Sequence, residues 1–279
     1  MKVGAIIQAR VSSRRLPGKV LKELPYNSGI TVLSQVIRRL KRCKTLNDII
    51  VAMTTEKEDD ELVRIVQGEG VKYFRGSKED VLSRFYGACR ENGLEIVVRV
   101  TSDCPCIDSG IVDFVVERHL STNTDFTSNI LMRAFPHGMD VEVMSFETLE
   151  KAHLGAQQTF EREHVCPYIY KSHPQRFKIS SVEAPERLSA PEIRVTLDTE
   201  EDYTLLCAVF DYLYTKNEFF GVEEIIQLFC DKPWLKNING KVIHKKVFDS
   251  PQQEIEEAVR VLDLQELNGA KRLLMNHLK

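Results

Sequence analysis

The 279-residue chain has no apolar run long enough to cross a membrane. It has no marked excess of one charge either: 38 basic and 41 acidic side chains leave a formal net charge of −3. No global field therefore draws nucleic acid or an anionic bilayer to it, and neither is expected as a partner. The common phosphate motifs are missing. There is no G-x-G-x-x-G, and Gly18-Lys19 is followed by Val20, with Ser13 where a P-loop needs its first glycine. Cys104-Pro105-Cys106 has no second cysteine pair at zinc-site spacing. The seven cysteines are scattered and odd in number, which argues for reduced thiols over a disulfide framework. Met1–Ile7 is too short an apolar run for a signal peptide, so a cytoplasmic protein is expected. There is also no repeat, low-complexity tract or clear linker.

What is present is ordinary globular composition, with 28% charged and 43% hydrophobic residues. An apolar strand at Val3–Ile7 opens the chain. Val32, Leu33, Val36, Ile37 and Leu40 give Thr31–Arg42 the spacing of an amphipathic helix. Ile49–Met53 reads as a strand buried on both faces. A helix over Glu58–Glu69, a strand over Val71–Phe74 and a helix over Lys78–Asn92 follow, the last with Ser77 as N-cap and Asp80 as its capping-box partner. Then come a strand at Glu95–Val100, a helix at Ser109–Leu120 and a strand at Asp125–Asn129. This alternation with short links predicts an α/β fold with a mostly parallel, doubly wound sheet.

Further on, Met139–Val143 alternates as a strand, with Asp140 and Glu142 on one face. Ser145 caps a helix to Gln158, Phe177–Val182 and Ile193–Leu197 read as strands, and Thr199 caps a helix to Tyr214. Helices are predicted at Val222–Cys230 and Gln252–Asn276, the latter broken near Asn268-Gly269. The expected organisation is one domain over 1–240 with a helical tail over 241–279.

Charge is concentrated in one place. Arg10, Arg14, Arg15 and Lys19 fall within ten residues directly after the first strand, interleaved with Ser12, Ser13, Pro17 and Gly18. Four cations repel one another, and an oligophosphate is the matching counter-charge, because guanidinium, ammonium, hydroxyl and backbone N–H groups all donate to its oxygens. In open parallel sheets ligands gather beyond the carboxyl ends of the strands, where Thr101-Ser102-Asp103 also falls. Asp103 is a candidate ligand for Mg²⁺, which takes one or two carboxylates and completes its shell with phosphates and water. On spacing alone Asp103 could equally be a turn aspartate ahead of Pro105.

Gln8-Ala9-Arg10, Ser13 and Arg15-Leu16-Pro17-Gly18-Lys19 resemble the signature loop of the sugar-acid cytidylyltransferases, the family of the 3-deoxy-manno-octulosonate and acylneuraminate enzymes. The similarity is greatest to the spore coat polysaccharide branch. It continues in order through Phe74–Ser77, Asp80–Leu82, Arg84-Phe85, Arg99–Thr101, Asp103–Pro105, Ile107-Asp108, His137–Val143, Arg162–Val165 and Val195–Asp202. Ser12, Arg14 and Ser102 depart from the family pattern.

The resemblance implies a nucleotidyltransferase fold related to the GT-A glycosyltransferases. It implies CTP as donor, Mg²⁺ as cofactor, and transfer of CMP to a small acidic sugar or related acceptor with release of pyrophosphate. Surface polysaccharide synthesis and a homodimer are implied with them. Arg10, Lys19 and Asp103 would be catalytic. Gln8, Ala9, Arg10, Ser13, Arg15, Lys19, Ser77 and Thr101 would bind the nucleotide. Asp103 and Asp198 would hold the metal, although Asp198 by itself reads as a turn residue before a capped helix. Asp140, Glu142, Arg162, Glu163 and His164 would face the acceptor.

Two other readings stay open. A GT-A glycosyltransferase would carry an Asp-x-Asp motif, and there is no acid at 101 or 105. A silent phosphate- or RNA-binding relative would favour aromatics among the cations, and residues 10–19 contain none.

Overall fold

The computed structural model describes residues 1–242 and 251–277. Contacts divide the chain into two compact units, Met1–Lys241 and Val242–Lys279. In the first unit the elements run β1 Val3–Gln8, α1 Val32–Leu40, β2 Asp48–Thr54, α2 Asp60–Gly68, β3 Lys72–Gly76, α3 Val81–Glu91, β4 Ile96–Thr101 and α4 Ser109–Thr122. They continue as β5 Phe126–Ser128, β6 Glu142–Ser145, α5 Phe146–Gly155, α6 Thr159–His164, β7 Ile179–Ser181, α7 Glu200–Leu213, α8 Val222–Asp231 and the single turn α9 Lys236–Asn239. The second unit contains α10 Pro251–Leu264 and α11 Asn268–His277.

The seven strands form one sheet in the order β3-β2-β1-β4-β6-β5-β7. β3, β2, β1 and β4 are parallel, β6 runs antiparallel to both β4 and β5, and β7 is parallel to β5. The sheet is thus mostly parallel, as expected. The interior strand β1 shows why: Ala5 and Ile7 face one buried cluster and Ile6 the other. A strand covered on both faces needs apolar residues at every position, and the connecting helices supply the cover.

Because β2 and β4 flank β1 on opposite sides, the chain reverses its direction of winding at β1 and β4, and this is where open sheets form a crevice. The register pairs Gln8 with Thr101, so the cationic loop and the Ser102-Asp103 turn leave the sheet side by side. Ser102 N donates to Gln8 O at 3.2 Å and keeps the two exits together.

Several predicted elements differ in detail. α3 starts at Val81 with Asp80 as its cap, accepting from Ser83 N at 2.9 Å, and the Ser77 hydroxyl accepts from Asp80 N one turn earlier. Asp140 and Glu142 do not share a strand face: β6 begins at Glu142, whose buried carboxylate turns inward to Arg99, while Asp140 pairs with Arg133 at 2.8 Å. Ile193–Leu197 alternates like a strand but joins no ladder beyond the isolated bridge between His137 and Arg194. Its backbone hydrogen bonds go to turns instead. The break in the last helical stretch falls at 265–267, just ahead of its predicted place.

Candidate active site

The cationic loop is closed at its base. Gly18 N donates to Val11 O at 3.1 Å, and Val11 N donates to the Asp59 carboxylate at 2.8 Å. The closure delivers Lys19 into the crevice between β1 and β4. Its ammonium donates to Asp103 Oδ2 at 2.6 Å, Asp198 Oδ1 at 3.0 Å and Leu197 O at 2.9 Å. The three partners use all three N–H bonds of one ammonium. Burial alone would lower the Lys19 pKa, but the two carboxylates outweigh it and raise it. Burial alone would raise both carboxyls, yet Lys19 holds Asp103 below the usual carboxylate range, and Lys19 with Arg194 and Arg15 holds Asp198 well below it too.

Asp198 is carried by a segment that is not a strand, so other contacts must fix it. Leu197 N donates to Asp103 O at 2.8 Å and the Thr196 hydroxyl to the same oxygen at 3.1 Å. Arg15 reaches Asp198 Oδ2 at 2.9 Å from the loop side, and Arg194 reaches it at 2.9 Å from behind. Arg194 is itself gripped by the wholly buried Asp202, at 2.8 and 2.9 Å, and its other terminal nitrogen lies 2.9 Å from His137 Nδ1. Asp202 is the N3 residue of the capping box that starts α7 and also accepts from Asp198 N at 3.0 Å and Asn239 Nδ2 at 2.9 Å.

Nothing in the spacing singled out Arg194. The one available signal was a lone arginine inside the apolar Ile193–Leu197 run.

The His137–Arg194 bridge depends on Gly138. That residue takes φ of +114°, and a Cβ on it would lie 2.8 Å from Val195 O, closer than any side chain tolerates. Gly138→Ala should therefore destabilise the protein by about 1–3 kcal/mol and lower turnover as Asp198 shifts. Urea denaturation beside an activity assay checks both, and an unchanged midpoint would refute the account.

The sequence candidates fall into two groups. Arg15, Lys19, Asp103 and Asp198 converge directly. Gln8, Ala9, Arg10 and Ser13 line the exit from β1, and Thr101 ends β4, its hydroxyl supporting the Asp103 carboxylate. Ser77 ends the β3 exit, exposed. Glu142 lies under this group: it pairs with Arg99, which also donates to Gln8 Oε1 at 3.3 Å.

The remaining candidates sit apart. Asp140 stands beside His137, 3.8 Å from its Nε2. Arg162 ties α6 to the cap of α3, 3.2 Å from Asp80, and donates to His153 O at 2.8 Å. Glu163 and His164 end α6, where Val165 takes φ of +72° and ψ of −61° and Cys166 N donates to His164 O at 2.9 Å. That is a γ-turn of the strained hand, unusual for a β-branched residue, and it sets the direction in which His164 leaves the helix.

Among the described residues no group of three or more His, Cys, Asp or Glu side chains converges as a metal cage. Two carboxylates that already share one cation at 2.6 and 3.0 Å do fit a hard divalent ion that draws its remaining oxygens from phosphate and water. Cys104 and Cys106 are buried free thiols, and burial raises Cys106 to about 12.

Comparison with known proteins identifies the family. The family model described as "Cytidylyltransferase" matches residues 4–233. The chain is 34% identical over 207 residues to the spore coat polysaccharide biosynthesis protein SpsF of Bacillus subtilis, covering 74% of this chain and 85% of that one. It is 39% identical over 263 residues to an uncharacterized protein of Methanocaldococcus jannaschii, covering 92% of this chain and all of the other. The solved structure of a cytidylyltransferase from Leptospira borgpetersenii superposes with a TM-score of 0.78 at 35% identity, over 88% of this chain and 99% of that one. The matched span runs from β1 to just past α8, and so takes in both the cationic loop and the late aspartate that Lys19 joins: the chain belongs to the cytidylyltransferase family and is a nucleotidyltransferase.

Proposed function

We propose that the protein is an Mg²⁺-dependent cytidylyltransferase that transfers CMP from CTP to a small acidic sugar or related acceptor, releasing pyrophosphate, in surface polysaccharide synthesis. A cytoplasmic homodimer is part of the same reading. The observation that carries it is the Lys19 ammonium joining Asp103 and Asp198 at the crevice of the sheet, continuous with the cationic loop. The relationship to SpsF supports the polysaccharide role.

The residues supply positioning and charge. Arg10, Ser13, Arg15 and the loop amides offer donors to the triphosphate, while Lys19 holds the two carboxylates in register before any ligand arrives. Asp103 and Asp198 would hold the Mg²⁺, which when bound neutralises charge on the phosphates. The acceptor oxygen displaces pyrophosphate from the α-phosphorus, and in this reading Asp140, Arg162, Glu163 and His164 serve the acceptor.

Incubation with CTP, Mg²⁺ and a panel of acidic sugars and phosphorylated acids, with pyrophosphate as the readout, tests the proposal. Release should depend on one acceptor class. Absence of release with every acceptor, together with no stabilisation by CTP in a thermal melt, would overturn it. Asp103→Asn should abolish turnover while CTP affinity drops only moderately, and full activity in that variant would remove Asp103 from the metal site.

A further inference from the structure

Arg84 lies on α3 with no solvent exposure at all. A buried guanidinium is normally matched by a carboxylate, because an uncompensated charge in the interior is costly. Arg84 is not. Its Nη1 donates to two backbone carbonyls, Ser77 O at 2.6 Å and Lys78 O at 3.3 Å, both in the turn after β3. Its Nε and Nη2 are buried and have no hydrogen-bond partner.

The acids in its vicinity are committed elsewhere. Asp59 accepts from Thr54 and Val11, and Asp80 caps α3 and pairs with Arg162. The arginine stem is built in, since a Cβ on Gly76 would fall 2.8 Å from Arg84 Cγ. Burial, and next the positive charge of Arg10, pull the Arg84 pKa down to about 10. Asp59 and Asp80 act on Arg84 in the opposite sense, but neither pairs with its guanidinium, whose Nε and Nη2 stay without partners at the edge where β3 leaves the sheet.

We propose that Arg84 is an electrostatic floor for the nucleotide cleft: a buried cation kept without a paired carboxylate so that its field, acting with Arg10, holds the oligophosphate of the substrate. The proposal rests on the cytidylyltransferase reading for the identity of the nucleotide, but its own ligand class is the oligophosphate. In the ligand-free protein the unpaired charge is a cost to the fold. An arriving polyanion relieves it, and since Arg84 is fully buried it acts on the phosphates without touching them. Arg84 is then a positioning residue whose removal should favour stability and impair binding.

The test uses Arg84→Met and Arg84→Gln, the second keeping a donor for Ser77 O without the charge. Calorimetry with CTP, inorganic pyrophosphate and cytidine is run on both variants and on wild type, with a thermal melt of each ligand-free protein. CTP and pyrophosphate affinity should fall about ten- to hundred-fold, the salt dependence of binding should flatten, and cytidine affinity should stay unchanged. The melting temperature of at least one variant should equal or exceed that of wild type.

Unchanged CTP and pyrophosphate affinity overturns the proposal, and so does a parallel loss of cytidine affinity, which would mark a packing defect. A lower melting temperature in both variants with full phosphate affinity would assign Arg84 to bridging carbonyls instead. If wild type binds pyrophosphate with the expected dependence on Arg84 but shows no preference for CTP, the nucleotide reading fails and the floor stands. If wild type binds neither, both fall.

Discussion

Lys19→Met is expected to reduce CMP transfer by about 100- to 1,000-fold, the cost of removing a preorganised charged donor from an active site. The side chain does two things at once. It supplies the ammonium of the cationic loop, and it separates two carboxylates that would otherwise face each other. Their exposures of 23% and 21% mean that solvent screens part of the repulsion, so the stability loss should be modest, about 1–3 kcal/mol.

The pH dependence gives a sharper signature. In wild type both carboxyls titrate below their ordinary range, so their pairing with Lys19 is fully present above the unfolded carboxylate pKa and is lost as pH falls through the folded values. The stability difference between wild type and Lys19→Met should therefore be greatest near neutrality and close in strong acid. Urea midpoints collected across that range check it. A gap that stays constant with pH would show that Lys19 matters for packing and not for its charge.

Arg194→Met should produce the largest loss of stability, about 3–5 kcal/mol, because it strands Asp202 as a wholly buried carboxylate without its cation. Turnover should fall with it, since Asp198 loses the contact that holds it from behind. The two effects separate in a double variant. Arg194→Met with Asp202→Leu replaces both buried charges by apolar groups and should recover much of the stability, yet leave turnover low because Asp198 is still unsupported. Arg194→Lys tests the geometry, because one ammonium cannot reproduce a fork that spans Asp198, Asp202 and His137. Denaturation and pyrophosphate release, measured on the same preparations, decide the matter. Equal recovery of stability and turnover in the double variant would mean that Arg194 serves the fold alone.

The first hundred residues were the most legible. There β1, β2 and β4 are largely apolar runs, and each helix begins near a short polar cap, so periodicity and punctuation agree with the structure. The basic loop was visible for a different reason: four cations in ten residues stand out in a chain with almost balanced charge.

Legibility declined where side chains took over from ladders. Ile193, Val195 and Leu197 alternate as a strand would, but they alternate because the segment threads between the core and the site, with its N–H and C=O groups spent on His137 and Asp103. Arg194 then takes the position that alternation would put outward, and is buried. Asp140 and Glu142 were misread by the same alternation, since the strand starts three residues later than the pattern suggests and one acid has an internal partner. Spacing could not distinguish Asp198 from a turn aspartate. The family resemblance marked it, and only the fold brings it to Lys19.

The contacts of Lys19 also have a consequence for the order in which the protein can be built. They close loops of 84, 178 and 179 residues. Everything needed for the parallel half of the sheet is synthesised by Thr101, and those pairings are comparatively local. The lysine, by contrast, waits for residues 197 and 198, so the site is among the last parts of the domain that can close. A nascent chain that stops short of that point can carry a finished β1–β4 core and a complete cationic loop and still have no active site.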